Sequence, residues 1–579
     1  MILRTLSATL AGVSALILAT SMAAAQIAAP TPPLGLPKPA LAKPRPAATA
    51  VAKPKPAAPE VQVATPYPIY DSIIDPETAA IRAALATAGT VGTFLDKRDA
   101  AAVAEYYAEQ GYTPSWTLDG KLTPRAQNII AAIGKAADEG LDPTIYNLPA
   151  ADLGSAVPAS AADLAMADVQ LSDAIVTYAR HVHSGRLDPS TVSENFNYAP
   201  HLLDPLAVLT AMATTADPEA TFVSYDPKHK EFAALKERLH EIRDDPVETP
   251  ILVPEGGTLK LGVKDMRVVF LRARLKVTAP ADDLQLYDKA VADAVKAFQT
   301  SKGLKADGAA GKGTVVALNT PPPDPVSTIL VNMERWRWMP EELGPFYVRV
   351  NIPNFNLDIY RNGKIDYTTR IVVGQTDKQT PIFSDEIETA VVNPTWNVPA
   401  SIAVKEMLPK LQATGGGALR GYQVFANLDG SFRPVDPTMI DWSTIDMRRV
   451  QIKQPPGDDN ALGSIKFLFP NPYAVYLHDT PSKSFFQRDY RALSHGCMRV
   501  QNPWDFAAAL LRDDPNVSVA QLKSLVGGRE TAVNLTHHIP VNITYFTAWI
   551  DDSGTLQLRN DVYGHDKHMK QMMGLGELG

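Results

Sequence analysis

Three consecutive prolines, Pro321-Pro322-Pro323, mark the point at which the hydrophobic pattern of this chain changes period. Before them, apolar residues recur at helical spacing. Ile129, Ile130 and Ile133 follow Thr123-Pro124-Arg125, a start that suits a helix because proline is favoured in the first turn. Ile175, Tyr178, Ala179 and Val182 share one face of a second helix expected over residues 173–183. After the prolines the period drops to two. Phe346, Val348, Val350 and Ile352 alternate with their neighbours, and residues 357–360 and 365–369 flank Asn362-Gly363, a dipeptide that accepts the positive φ of a tight hairpin. Further strands are expected near residues 371–373 and 390–393, and Asn393-Pro394-Thr395-Trp396-Asn397-Val398-Pro399 stops the sheet pattern. A chain of 579 residues that switches period in this way is multidomain and α+β.

Smaller units sit inside this division. Val268, Leu271 and Leu275 make one helix face, Val291, Val295 and Phe298 a second, and the turn Ala306-Asp307-Gly308 leads to a short helix near residues 315–318. The region 403–450 is mixed, with Gly415-Gly416-Gly417 read as a flexible point. At the start, Arg4, the apolar residues 6–20 and Ala23-Ala24-Ala25 have the order of a secretory signal cleaved after Ala25. Its apolar core falls short of the ~20 residues that span a bilayer, although an uncleaved anchor is the alternative. Residues 26–69 are rich in Pro, Ala and Lys, a composition that buries no core and makes an extended tether. A net charge of −8 gives no support to nucleic-acid binding, and one cysteine forms no internal disulfide.

That cysteine, Cys497, stands in Ser494-His495-Gly496-Cys497-Met498-Arg499, downstream of His478 at the end of the run Ala474-Val475-Tyr476-Leu477. A thiol attacks as thiolate, and a nearby imidazole is the usual means of making one. Glycine before the nucleophile lets backbone N–H groups approach a developing oxyanion. Two other readings stand beside nucleophile: a small buried hydrophobe, and a zinc ligand with His478 and His495. Polar flanks weaken the first, and the lack of a fourth ligand weakens the second, so no cofactor is expected. Asn502 is placed to cap a helix opening with Pro503, carrying Asp505 in its first turn and burying Phe506 and Leu510. Arg499 suits either a substrate carboxylate or a structural ion pair. Trp396 and Tyr476 suit either a substrate pocket or the core.

The run SHGCMR preceded by YLHD resembles the catalytic motif of bacterial L,D-transpeptidases, cysteine enzymes that cross-link peptidoglycan. The spacing from His478 to Cys497 is similar to that of their long, scaffold-bearing subclass. The resemblance implies Cys497 as nucleophile, His478 as proton acceptor and donor, and the N–H groups of Gly496 and Cys497 as the oxyanion site. His495 would shape the pocket, with Tyr476, Ser494, Arg499 and Trp396 binding substrate. Met498 replaces the more usual valine or isoleucine. Tyr112-Thr113-Pro114-Ser115-Trp116 and Gly185-Arg186-Leu187-Asp188-Pro189 resemble the scaffold domain, Phe298-Gln299 with residues 303–308 a three-helix peptidoglycan-binding repeat, and residues 403–450 the capping insert. The implied layout is a helical scaffold domain (70–250), a peptidoglycan-binding domain (251–320), a mainly-β catalytic domain (326–548) and a C-terminal tail (549–579). The implied activity is 3–3 cross-linking through a thioester, with release of D-alanine and sensitivity to carbapenems. Hydrolysis of the thioester, its transfer to a lipoprotein amine, and a non-catalytic wall-binding scaffold are the alternatives. Tetrapeptide stems as donor and acceptor, and wall-synthesis proteins, are the implied partners, and the periplasm or cell wall the implied location.

Overall fold

The computed structural model of the chain describes residues 75–88, 97–244, 251–278, 283–301, 304, 306–319 and 324–576. The signal and tether expected over residues 1–69, and the three prolines, lie outside them. The architecture is multidomain α+β: a helical module, a small three-helix unit and a strand-rich domain with an inserted cap.

Helix α1 (Ala161–Ser184) runs through the helical module, longer than the stretch read from periodicity. Ser160 caps it by accepting the Asp163 N–H at 3.2 Å. It buries residues on every side, and an all-round buried helix lacks a one-sided stripe. Asp168 of α1 is fully buried and accepts the Ser115 N–H (2.9 Å), the Trp116 N–H (2.8 Å), the Thr117 hydroxyl (2.9 Å) and the Tyr107 hydroxyl (2.5 Å). The Tyr112–Trp116 phrase therefore turns its N–H groups into the core, where a carboxylate satisfies them.

The second phrase is a joint. Gly185 ends α1 with φ of 87°, and a Cβ there would lie 2.6 Å from Glu334 Oε1. Leu187 N–H donates to that same oxygen at 2.7 Å, and Asp188 caps the short helix Pro189–Val192. Glu334 is fully buried on a helix that the strand pattern did not announce, Pro325–Trp336. Helix α2 (Lys230–Ile242), assigned from sequence to the helical module, packs Phe232, Leu235 and Leu239 against Ile329, Met333 and Trp336 of that helix, here α3. In the three-helix unit, Val268, Leu271, Val291, Val295, Val315 and Leu318 form the core. Buried Gln299 holds the expected turn, donating to Asp307 and Ala309 and accepting the Gly308 N–H at 2.9 Å.

The strand domain is built from β1 (Phe346–Asn351), β2 (Asn356–Arg361), β3 (Lys364–Gly374), β4 (Phe383–Val392), β5 (Ile465–Leu468), β6 (Leu477–His478), β7 (Ala492–Ser494), β8 (Met498–Val500) and β9 (Thr531–Thr544). The order is β7-β3-β8-β6-β5-β4-β9-β1-β2, and β2 also pairs with β3, so the ladder closes on itself. Its interior holds Val348, Val350, Ile371, Phe467, Leu477, Met498 and Val541.

Two expectations need correcting here. The cap is wider than residues 403–450: its four-stranded sheet begins at Trp396–Asn397 and ends at Val450–Gln454, around a core of Leu411, Leu419, Val424, Trp442 and Ile452. Of its glycine run only Gly416 is tightly packed, a Cβ there clashing with the Pro437 oxygen, while Gly415 and Gly417 have open space beside them. Buried Asn460 clasps the root of the cap, donating to the Pro394 and Pro455 carbonyls at 3.0 and 2.8 Å. The C-terminal segment, expected as a tail over residues 549–579, is docked onto the strand domain. Its helix, His565–Met572, sends Met569 into the strand-domain core, and Asp566 meets Arg335 of α3 at 2.6 Å.

Replacing Asp168 by Ala removes the acceptor from two buried N–H groups, a loss of about 1–3 kcal/mol for each. Hydrogen–deuterium exchange should show Ser115 and Trp116 amides losing protection in Asp168→Ala, with the strand domain unchanged.

Candidate active site

The site grows from a two-residue parallel ladder. Strand β6 pairs with β8 so that Leu477 faces Met498 and His478 faces Arg499; β5 pairs antiparallel with β6, setting Lys466 opposite His478. Side chains alternate across a sheet, so Leu477, Met498 and Phe467 enter the core while Lys466, His478 and Arg499 form a row on the other face. Tyr476 and Cys497 share that face, one step along. The ring centroids of Tyr476 and His478 lie 5.6 Å apart, edge to face.

His478 is buried, and its Nδ1 lies 2.5 Å from the Asp479 carbonyl oxygen. A carbonyl only accepts, so Nδ1 carries the proton and Nε2 keeps its lone pair. Burial, reinforced by Arg499, pushes the His478 pKa down to about 3. Asp479 is itself fixed: its carboxylate accepts the Ser464 N–H (2.9 Å) and hydroxyl (2.8 Å), the Thr480 N–H (2.7 Å) and the Lys483 ammonium (2.6 Å). Trp504 of α4 (Pro503–Leu510) donates to the same Ser464 hydroxyl at 3.0 Å. That helix starts at Pro503 as expected, but the Asn502 side chain makes no capping bond.

Cys497 is half-buried, its sulfur 3.9 Å from the Ala474 carbonyl oxygen. Burial pushes its thiol up to about 11, against the pull of the Tyr476 N–H and hydroxyl and of the Arg499 and Lys466 charges. Gly496 is required by conformation rather than by space, having φ of 114° and no close contact for a Cβ. Its N–H, expected to face an oxyanion, instead donates to Ser494 Oγ at 3.2 Å, because the loop folds back on that buried serine. Ser494 in turn donates to the Cys497 carbonyl at 2.6 Å. Among the described residues, the Cys497 N–H has no acceptor. Thr380 Oγ1 donates to the Gly496 carbonyl at 2.8 Å. Tyr563, from the C-terminal segment, accepts the Thr380 N–H at 3.2 Å and donates to the Gly374 carbonyl at 2.7 Å. Neither Thr380 nor Tyr563 belongs to the motif, and no local pattern announces them.

His495 lies outside this row. Its Nε2 donates to Glu406 Oε1 at 2.5 Å, and Lys378 meets the same oxygen at 2.6 Å. Glu406 sits on the cap, in a π-helical turn, Ala403–Met407, so this contact joins the cap to the Cys497 loop. Trp396 is half-buried at the root of the cap, pairing with Gln454. Arg499 enters no ion pair among the described residues; its guanidinium lies 5.5 Å from the Phe485 ring centre, and its Nε is buried without a hydrogen-bond partner. Lys466 was missed in the sequence. Burial lowers its pKa, and its only close carboxylate among the described residues is Glu530, at 3.7 Å. Among those residues no three His, Cys, Asp or Glu side chains are grouped to hold a metal ion.

Residues 345–519 match the family described as L,D-transpeptidase catalytic domain, residues 101–239 the scaffold domain, and residues 270–318 the "Putative peptidoglycan binding domain". A protein of Haemophilus influenzae named "Putative L,D-transpeptidase" is 34% identical over 242 residues, covering 42% of this chain and 48% of the relative. The chain thus spans about half the length of that relative. Among solved structures, an L,D-transpeptidase of Mycobacterium smegmatis is similar at 11% identity, with 34% of this chain and 58% of that one covered and a TM-score of 0.18. An Enterococcus faecium L,D-transpeptidase is similar at 14% identity, with 35% and 50% covered and a TM-score of 0.16.

With the thiol pushed up to about 11 and the imidazole down to about 3, both groups are neutral around pH 7. Alkylation of Cys497 by iodoacetamide should therefore climb with pH through about 8 to 10, following thiolate population, and show no step at about pH 6–7. A plateau below pH ~7 would instead signal a preformed thiolate–imidazolium pair. Stability carries the matching sign. The His478 pKa lies below its unfolded value of 6.5, so the unfolded chain binds the extra proton as pH falls from 6.5 toward 3 and stability declines over that window.

Proposed function

Because the chain belongs to the scaffold-bearing L,D-transpeptidase family, we propose that it cuts and rejoins peptidoglycan stem peptides at Cys497. The observation that carries this reading is the His478 tautomer. Its Nδ1–H is held by the Asp479 carbonyl, leaving the Nε2 lone pair on the sheet face that carries the sulfur. The donor is a tetrapeptide stem. As the Cys497 sulfur bonds to the carbonyl of the third residue, His478 Nε2 takes the thiol proton and then delivers it to the departing nitrogen. The C–N bond breaks, D-alanine leaves and a thioester remains. The free amine of a diamino acid on a second stem attacks that thioester, loses a proton through His478 and restores the thiol, giving a 3–3 cross-link.

Because the resting pair is neutral, the proton moves as the S–C bond forms, and the negative charge passes to the carbonyl oxygen. The unengaged Cys497 N–H is the donor available to that oxygen. The Gly496 N–H joins it only if the bond to Ser494 opens. Asp479, Ser464, Lys483 and Trp504 act as positioning residues, holding the carbonyl that sets the His478 tautomer. The peptidoglycan-binding match supports residence at the cell wall, reached by export. No helix among the described residues is long and apolar enough to cross a membrane.

Purified tetrapeptide muropeptides should give a dimer and free D-alanine with the wild type and neither with Cys497→Ala. His478→Ala should slow single-turnover acylation by about 10²–10⁴, the usual worth of a general base, while His495→Ala leaves proton transfer in place. Meropenem should add once to the wild type and not to Cys497→Ala by intact mass. Dimer or adduct formed without the cysteine would contradict the assignment.

A further inference from the structure

We propose that Lys466 and Arg499 form a carboxylate subsite that takes the chain-terminal α-carboxylate of the donor stem. The inference rests on the reading of Cys497 and His478 given above, and adds to it a determinant of which peptide bond is cut. The two cations are the lateral neighbours of His478 on adjoining strands, on the face that carries the nucleophile.

Arg499 is not neutralised as buried charges ordinarily are, and Lys466 meets a single carboxylate, at 3.7 Å. Arg499 has a buried Nε without a partner and no ion pair among the described residues. Its guanidinium rests on Phe485, whose ring centre also lies 5.2 Å from the Arg488 guanidinium. Lys466 has a side chain only 14% exposed, with its Nζ 5.7 Å from the Tyr476 ring centre. Its nearest carboxylate, Glu530, is beyond hydrogen-bonding distance at 3.7 Å, is 40% exposed, and accepts the Thr395 N–H at 3.1 Å. The other carboxylates near the site are taken: Asp479 by Ser464, Thr480 and Lys483, and Glu406 by Lys378 and His495. The face is left with excess positive charge, which favours an anionic ligand.

Reaction geometry names the ligand. His478 Nε2 must reach the departing nitrogen to protonate it. In a stem that ends at the residue being released, the α-carboxylate hangs one carbon beyond that nitrogen. With the nitrogen at His478, the carboxylate reaches the groups beside His478, which are Lys466 and Arg499. A stem with one more residue presents a neutral amide at that position and leaves the cations unanswered. The subsite therefore selects release of a terminal residue over cleavage inside a longer peptide. It also repels a protonated acceptor amine, so the acceptor approaches from elsewhere or after losing its proton.

The test compares two donors of equal length, a tetrapeptide stem ending in D-alanine carboxylate and its C-terminal carboxamide, read as the rate of thioester formation on Cys497 by intact mass. A charge-assisted hydrogen bond of ordinary strength gives the wild type a preference of about tenfold to a hundredfold for the carboxylate. In Lys466→Met and Arg499→Met that ratio should collapse toward unity, whatever the absolute rate, and Lys466→Arg should restore it. Lys466→Gln provides a second variant if Lys466→Met fails to fold. A ratio kept in the variants, or a wild type that acylates equally from both donors, would overturn the subsite alone. No thioester from either donor would overturn the donor chemistry and the subsite together.

Discussion

Two residues of parallel pairing, Leu477 with Met498 and His478 with Arg499, carry the whole site. This short ladder brings a histidine and a cysteine from separate stretches of chain onto one face of a closed sheet. It holds because its inward side chains, Leu477 and Met498, are fully buried in the strand-domain core. A slip of one residue would send His478 into the core and Leu477 out, so register and chemistry are set by the same apolar contacts.

Around that ladder, distant segments fix the loop that carries Cys497. Thr380 holds the Gly496 carbonyl, and Tyr563 holds Thr380 from the far end of the chain. The helical module reaches the same place, since Asn195 O and Asn197 N–H bond to Ile382 at 2.7 and 2.8 Å. The cap meets the loop through Glu406, His495 and Lys378. The cap thus meets the loop directly at His495, while the C-terminal segment and the helical module hold the Thr380–Ile382 stretch behind it. Burial has a second effect: it keeps thiol and imidazole neutral, so reactivity waits on a substrate that completes the proton path.

Much of this was legible in sequence because it is local. The Ser494–Arg499 run, the preceding Tyr476-Leu477-His478, the Asn362-Gly363 turn and the alternating strands each declare themselves within a few residues. What escaped depends on pairing across the chain. Lys466 is an ordinary strand lysine until β5 aligns it with His478. Helix α3 was hidden because Glu334, Arg335 and Arg337 are buried ion-pairing residues that read as surface. The C-terminal helix has few apolar residues, and its docking rests on Met569 and on Asp566 with Arg335. The bond from the Gly496 N–H to Ser494 was not legible because its direction follows from φ of 114° and from a serine that folds beneath it.

The central claim is that the resting site holds a neutral thiol beside a neutral His478 protonated at Nδ1. Nitrogen-15 NMR of selectively labelled histidine, compared with His478→Ala to identify the signal, reads that state directly. The account predicts a single neutral tautomer, proton on Nδ1 and lone pair on Nε2, unchanged over about pH 5–8. An imidazolium signal in that range, or a proton on Nε2, would contradict it.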